Sequence, residues 1–185
     1  MILTCGALKT ELLFVRTRPR LALGMGEVAR ERLVRFLSAH RPAGVLVVGF
    51  CGATRASLPP GALILAEAAA AGEEIPLPQE LLARAKAALP EAEVGPVVTV
   101  ASPAAPAEKA RLSVDALAVD MESGHLAAEL SSRGIPFLVV RCVLDALWED
   151  VTSGLKLRFA RRALVCARRL GQAAGALVPV LEGAG

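Results

Sequence analysis

The chain of 185 residues has no tyrosine, and aromatic residues make up only 3% of it. Its core must therefore be built from Leu, Val, Ala and Ile. It has no aromatic interleaving of the kind that stacks bases in single-strand binders. Histidine occurs twice, at His40 and His125, and cysteine four times, at positions 5, 51, 142 and 166, never as a C-x-x-C pair. That supply matches no common zinc spacing, so no metal is expected, and the thiols read as reduced core residues. A formal net charge of +3, with only four lysines among 21 basic residues, argues against nucleic acid as a partner. Long apolar runs are also missing, and no basic segment precedes the apolar amino terminus. The expectation is a soluble, cytoplasmic chain that neither crosses nor binds a membrane.

What is present is 54% hydrophobic residues in regular alternation, enough for one ordinary domain over 1–185. Residues 2–5 read as a strand. Two short apolar pieces, 12–15 and 21–23, are expected to form a hairpin turning near Pro19. A helix from Gly26 to about His40 precedes a buried strand at 45–48. Further strands are expected at 62–66 and 94–101, and helices at 78–89 and 103–112. A long helix from about Leu155 carries Arg161, Arg162, Arg168 and Arg169, read as a solvated face rather than a phosphate-binding one. Strands alternating with helices predict an α/β fold in three layers (α/β/α), with a mixed, mainly parallel central sheet.

The most informative stretch is 115–145. Val119-Asp120-Met121-Glu122-Ser123 closes an apolar run and opens a helix with Leu126, Ala127 and Leu130 inward. Gly134 and Pro136 end that helix, and 135–144 is nearly continuous apolar sequence, as in a parallel strand covered on both faces. Asp145 follows at once. Ligands of open α/β sheets gather at the carboxyl ends of strands, which places Glu122 and Asp145 where chemistry would occur. Gly49-Phe50-Cys51-Gly52-Ala53 ends another strand in small residues that let a ligand approach the backbone. Arg141 interrupts a buried strand and so requires a partner, either a site acid or a bound anion.

Val-Asp-Met-Glu-Ser at 119–123, together with Pro-Phe-Leu-Val-Val-Arg-Cys-Val-Leu-Asp at 136–145, closely resembles the purine nucleoside phosphorylase/nucleosidase superfamily. Within it, the chain is most similar to methylthioadenosine/S-adenosylhomocysteine nucleosidases and hopanoid-associated nucleosidases. Gly6-Ala7-Leu8-Lys9-Thr10-Glu11 is similar to the nucleosidase amino-terminal motif, and the segments at 24–26 and 49–53 fall in the family's order. The resemblance implies Glu11 as the base that polarises the attacking water and Asp145 as the acid that protonates purine N7. It implies Glu122 as the ligand of the ribose hydroxyls and Met121 beside the sugar. Cys51, Gly52 and Arg141 complete the expected substrate-binding set. The reaction implied is hydrolysis of the N-glycosidic bond of a purine nucleoside with a modified 5′ position, without cofactor, in a homo-oligomer.

Two alternatives stand beside it: a phosphorylase using inorganic phosphate through Arg141 or Arg55, and a non-catalytic nucleoside-binding relative. The chain also departs from the nucleosidases. The stretch between Gly61 and Asp120 is shorter and supplies no matching base-stacking Phe, and Leu144 stands where a Ser usually precedes the catalytic Asp.

Overall fold

The computed structural model describes residues 1–150 and 156–183. Among these residues, strands and helices follow one another in the order β1 (Ile2–Gly6), β2 (Arg20–Ala22), α1 (Glu27–Ala39), β3 (Gly44–Ala53), β4 (Leu63–Ala71), β5 (Glu73–Pro76), α2 (Gln79–Ala88), β6 (Glu93–Thr99), α3 (Pro106–Leu112), β7 (Ala118–Asp120), α4 (Ser123–Ser132), β8 (Phe137–Asp145) and α5 (Lys156–Glu182). The sheet is mixed and mainly parallel, as the alternation predicts. β1 lies parallel to both β2 and β3, β3 to β8, β6 to β4 and β7. The antiparallel pairs are β3 with β7, and β4 with β5 and β8. Pairing therefore runs round a closed circuit, β3–β8–β4–β6–β7–β3, and the circuit leaves the carboxyl ends of several strands facing one hollow.

β8 explains much of this arrangement. Leu138, Val139 and Val140 are fully buried, between β3 on one edge and β4 on the other. Truncating a leucine in such a position costs about 2–5 kcal/mol. α5 is long and apolar enough by composition to cross a bilayer. Here its apolar side, including Cys166, Leu170, Leu177 and Leu181, is buried in the same cluster as β3 and β8, while Arg161 and Arg168 stay exposed.

The expected hairpin at Pro19 does not form. Residues 12–14 lie in turns, and β2 pairs parallel to β1, with Thr4 opposite Arg20. Arg20 fixes the returning loop by donating from Nη1 to the carbonyls of Leu12 (2.9 Å) and Val15 (2.7 Å). β3 and β4 run well past their expected ends, because their small residues (Gly49, Gly52 and Ala68–Ala71) accept close neighbours. β5 is an additional strand, exposed at the sheet edge and too polar for periodicity to reveal.

Candidate active site

Glu11, Cys51, Gly52, Met121, Glu122 and Asp145, 134 positions apart at the extremes of sequence, line one cavity. Three strands set its floor. Gly52 of β3 pairs with Val119 of β7 on one side and with Asp145 of β8 on the other. The second pairing carries a bulge: Cys51 opposes Val143, but Gly52 opposes Asp145, so Leu144 is the extra residue. A bulge re-aims the side chain that follows it, and here it brings the Asp145 carboxyl over Gly52. A Cβ at Gly52 would lie 3.0 Å from Asp145 Oδ2 and 3.0 Å from Lys109 Cε, so only glycine leaves room for both side chains.

Glu11 follows β1 through a tight turn that hides its carboxylate from solvent. Its Oε2 accepts the N–H of Leu8 at 2.8 Å and its Oε1 that of Phe50 at 2.8 Å. Burial pushes its pKa up, against the pull of the Arg141 cation and these two hydrogen bonds, and the Glu122 charge adds to the rise. Glu122 stands at the start of α4, and its Oε1 accepts the N–H of Gly26 at 3.0 Å. That donor points inward because Gly26 adopts φ 61°, a conformation that favours glycine. Burial raises the Glu122 pKa as well, opposed by Arg141 and reinforced by Asp120. Asp145 is likewise raised by burial, although Lys109 pulls the other way. Burial thus lets each of these carboxyls keep its proton to higher pH than an exposed carboxyl would, which suits acid–base work.

Arg141 does not reach the cavity wall. It lies beneath it, 1% exposed, with Nη2 2.6 Å from Asp120 Oδ2 and Nε donating to Ser123 Oγ at 2.9 Å. Burial disfavours its charge, but Asp120, Glu122 and Glu11 outweigh that cost and hold its pKa above the ordinary value. Asp120 also accepts the N–H of Ser123 (3.2 and 3.1 Å to its two oxygens) and the Thr99 hydroxyl (2.7 Å). It thus fixes the first turn of α4, and with it Glu122. Arg55, the other basic residue considered for phosphate, is exposed and absent from the cavity lining.

Two functional features escaped sequence reasoning. Lys109, within the helix expected at 103–112, is the buried residue of α3, and its ammonium bonds Asp145 in the cavity. A lysine is rare in this chain, but α3 is short and polar, and nothing in its spacing marks a buried face. The second is the wall made by the short middle of the chain. Val100, Pro103, Ala104 and Lys109 close one side of the cavity, and Phe50 provides the one aromatic ring among the lining residues. No cluster of His, Cys, Asp and Glu suited to a metal ion occurs among the described residues.

A search of curated proteins returns no match to this chain. Among solved structures, methylthioadenosine/S-adenosylhomocysteine nucleosidase of Streptococcus pneumoniae in complex with 8-aminoadenine is 18% identical. That match covers 97% of this chain and 99% of that one at a TM-score of 0.82. S-adenosylhomocysteine nucleosidase of Streptococcus pyogenes, in complex with 5-methylthiotubericidin, is 19% identical over 96% of this chain and 95% of that one, at 0.80. Futalosine hydrolase of Helicobacter pylori is 18% identical over 96% and 97%, at 0.82. At such identities the likeness is one of fold. The sequence profile of the phosphorylase superfamily matches residues 3–177, nearly the whole length. The chain belongs to the phosphorylase superfamily.

Proposed function

We infer that the protein is a nucleosidase that hydrolyses the N-glycosidic bond of a purine nucleoside with a modified 5′ position. The observation that carries this reading is the convergence on one cavity of four buried carboxyls, Asp120, which is committed to Arg141, and Glu11, Glu122 and Asp145, which are not. Glycosidic cleavage builds positive charge on the sugar and negative charge on the base, through an oxocarbenium-like transition state. In this reading Glu122 holds the ribose hydroxyls and faces the developing cation. Asp145 gives a proton to N7, so that the base leaves neutral, and Glu11 takes the proton of the attacking water. The cavity's apolar sides, from Leu8, Met25, Val100 and Pro103, favour an apolar 5′ substituent over a charged one. The nucleosidases of similar fold are named for two 5′-thio nucleosides, and of these methylthioadenosine has such an apolar group whereas S-adenosylhomocysteine carries a charged amino-acid tail.

Water is favoured over phosphate as the nucleophile by the state of the cations. Lys109, the basic residue lining the cavity, is engaged by Asp145 and two carbonyls, and Arg141, paired with Asp120 and bonded to Ser123, lies beneath the lining rather than in it. The experiment is base release, followed by chromatography, from methylthioadenosine, S-adenosylhomocysteine, adenosine and inosine, with and without inorganic phosphate. Free base and free sugar without phosphate are expected. Strict phosphate dependence would make the enzyme a phosphorylase, and binding without release would make it a nucleoside-binding relative.

A further inference from the structure

Lys109 is a lysine with 1% of its side chain exposed, on a seven-residue helix whose neighbouring positions face solvent. Nothing about packing calls for a lysine there. Its three N–H bonds are all spent: one on Asp145 Oδ2, one on the carbonyl of Ala146 at 3.0 Å and one on the carbonyl of Glu149 at 2.7 Å. The ammonium thus ties α3 to the end of β8 and to the turn after it. Gly52 lies close against both members of the pair, so the contact is enclosed.

We propose that Lys109 is a positioning residue that stabilises the carboxylate Asp145 becomes when it hands its proton to the departing base. This deepens the nucleosidase reading and rests on it. Buried acids are weak acids, because the carboxylate they leave behind is poorly solvated. Without a counter-charge, Asp145 would hold its proton too firmly to protonate a leaving base. Lys109 supplies that charge at fixed distance, and its benefit grows as the proton departs, which is the condition for lowering a barrier rather than merely tightening binding. As the C1′–N9 bond breaks, its electron pair goes to the base and the Asp145 proton to N7. Water adds to C1′ and yields a proton to Glu11, and Lys109 remains an ammonium throughout.

The other groups facing Asp145 do not replace it. Glu149, in the following turn, acts in the opposite sense, Cys51 of β3 is an uncharged buried thiol, and Arg162 of α5 is itself engaged by Glu149. Glu149 also accepts from Arg158 at 3.0 Å and from the N–H of Ala146 at 3.0 Å.

The test compares Lys109→Met, Lys109→Gln and Lys109→Arg in the full chain, with a nucleoside that the wild type cleaves. Both neutral variants are expected to lose about 10- to 100-fold in kcat, a part of the ~10²–10⁴ a positioned acid contributes. KM should stay nearly unchanged, and the alkaline limb of the pH–rate profile should move to higher pH. Lys109→Arg should recover much of the rate. Gln keeps a donor for the carbonyls but no charge, so a wild-type rate and profile in Lys109→Gln would reduce Lys109 to a structural tether and overturn the proposal. The Gln variant also carries the test if the Met variant does not fold. A second readout needs no turnover: the ¹³C-carboxyl signal of Asp145, assigned by its loss in Asp145→Asn, should titrate at higher pH in the neutral variants. A wild type that releases no base from any nucleoside would sink the nucleosidase reading. The Lys109–Asp145 coupling would then be upheld by a moved carboxyl signal or overturned by an unmoved one.

Discussion

The guanidinium of Arg141 occupies the space that a side chain on residue 49 would need: a Cβ built on Gly49 falls far inside van der Waals contact with Arg141 Nη1, with Glu11 Oε1 3.2 Å away. One glycine in β3 thus admits the central cation beneath the site. Gly49→Ala cannot be relieved by swinging Arg141 aside, because Asp120 and Ser123 hold the other end of the guanidinium. Overpacking costs about 1–3 kcal/mol, and a broken buried ion pair more, about 3–5 kcal/mol. Urea denaturation of Gly49→Ala should show a loss in this range with an unchanged m-value. A variant as stable as the wild type would mean that the guanidinium has another place to go.

Asp120 and Arg141 should behave as a unit. Arg141→Met leaves the Asp120 carboxylate buried without its cation and is expected to cost about 3–5 kcal/mol. Combining it with Asp120→Asn should return a large share of that loss, since the charge left unpaired is then gone. A double-mutant cycle measures the coupling. Simple additivity of the two single changes would show that the pair contributes nothing together.

Glu11→Gln separates chemistry from binding. Both carboxylate oxygens of Glu11 accept backbone N–H groups, and an amide can satisfy only one of them. Stability should fall by about 1–3 kcal/mol, the cost of an unsatisfied buried donor. Base release should fall by about 10²–10⁴, the contribution of a general base. Calorimetric titration with free base should find binding changed far less than turnover. Turnover near wild type would remove Glu11 from its role.

Asp145 gives a signed pH dependence. Burial raises its folded-state pKa above the unfolded value of an ordinary Asp, so within that window the native state binds more protons than the unfolded state. The Asp145 contribution to stability therefore declines as pH rises from the unfolded pKa through the folded one. Asp145→Asn lacks that decline. Its melting temperature, relative to wild type, should rise steadily with pH from the ordinary carboxylate range upward, whatever the offset from stranding Lys109. A pH-independent difference would contradict the raised value.

The four cysteines should be silent in the native protein. All are buried; burial pushes the Cys5 thiol up to about 12 and holds that of Cys51 well above its ordinary value, whereas the hydrogen bond from Cys142 lowers that of Cys166, which only its burial keeps from a reagent. A thiol reagent should find none of them until the chain is denatured, and all four afterwards. Rapid labelling of the folded chain at Cys51 would show that the cavity admits the reagent, and at Cys5, Cys142 or Cys166 that β1, β8 or α5 opens locally.

Much of the architecture could be read without coordinates. The run 135–144 announces a strand buried on both faces, and 119–126 announces a strand end entering a helix, because apolar continuity and period report burial directly. The acids at those junctions follow from the same reading. The connection at 12–22 could not be read this way, since parallel addition of β2 to β1 depends on Arg20 finding two carbonyls rather than on any local turn preference. β5 was hidden because an exposed edge strand has no hydrophobic pattern to show.

Which segments bury, the α/β alternation and the position of Glu11, Glu122 and Asp145 at or just beyond strand ends are all local properties, since each depends on the order of polar and apolar residues along a short stretch. The partners of these residues are a matter of the folded sheet. Gly49 makes room for Arg141, Gly26 turns an N–H toward Glu122, and the bulge at Leu144 lays Asp145 over Gly52 within reach of Lys109. Those pairings join residues tens of positions apart, and their geometry exists only once the sheet has set the register of its strands.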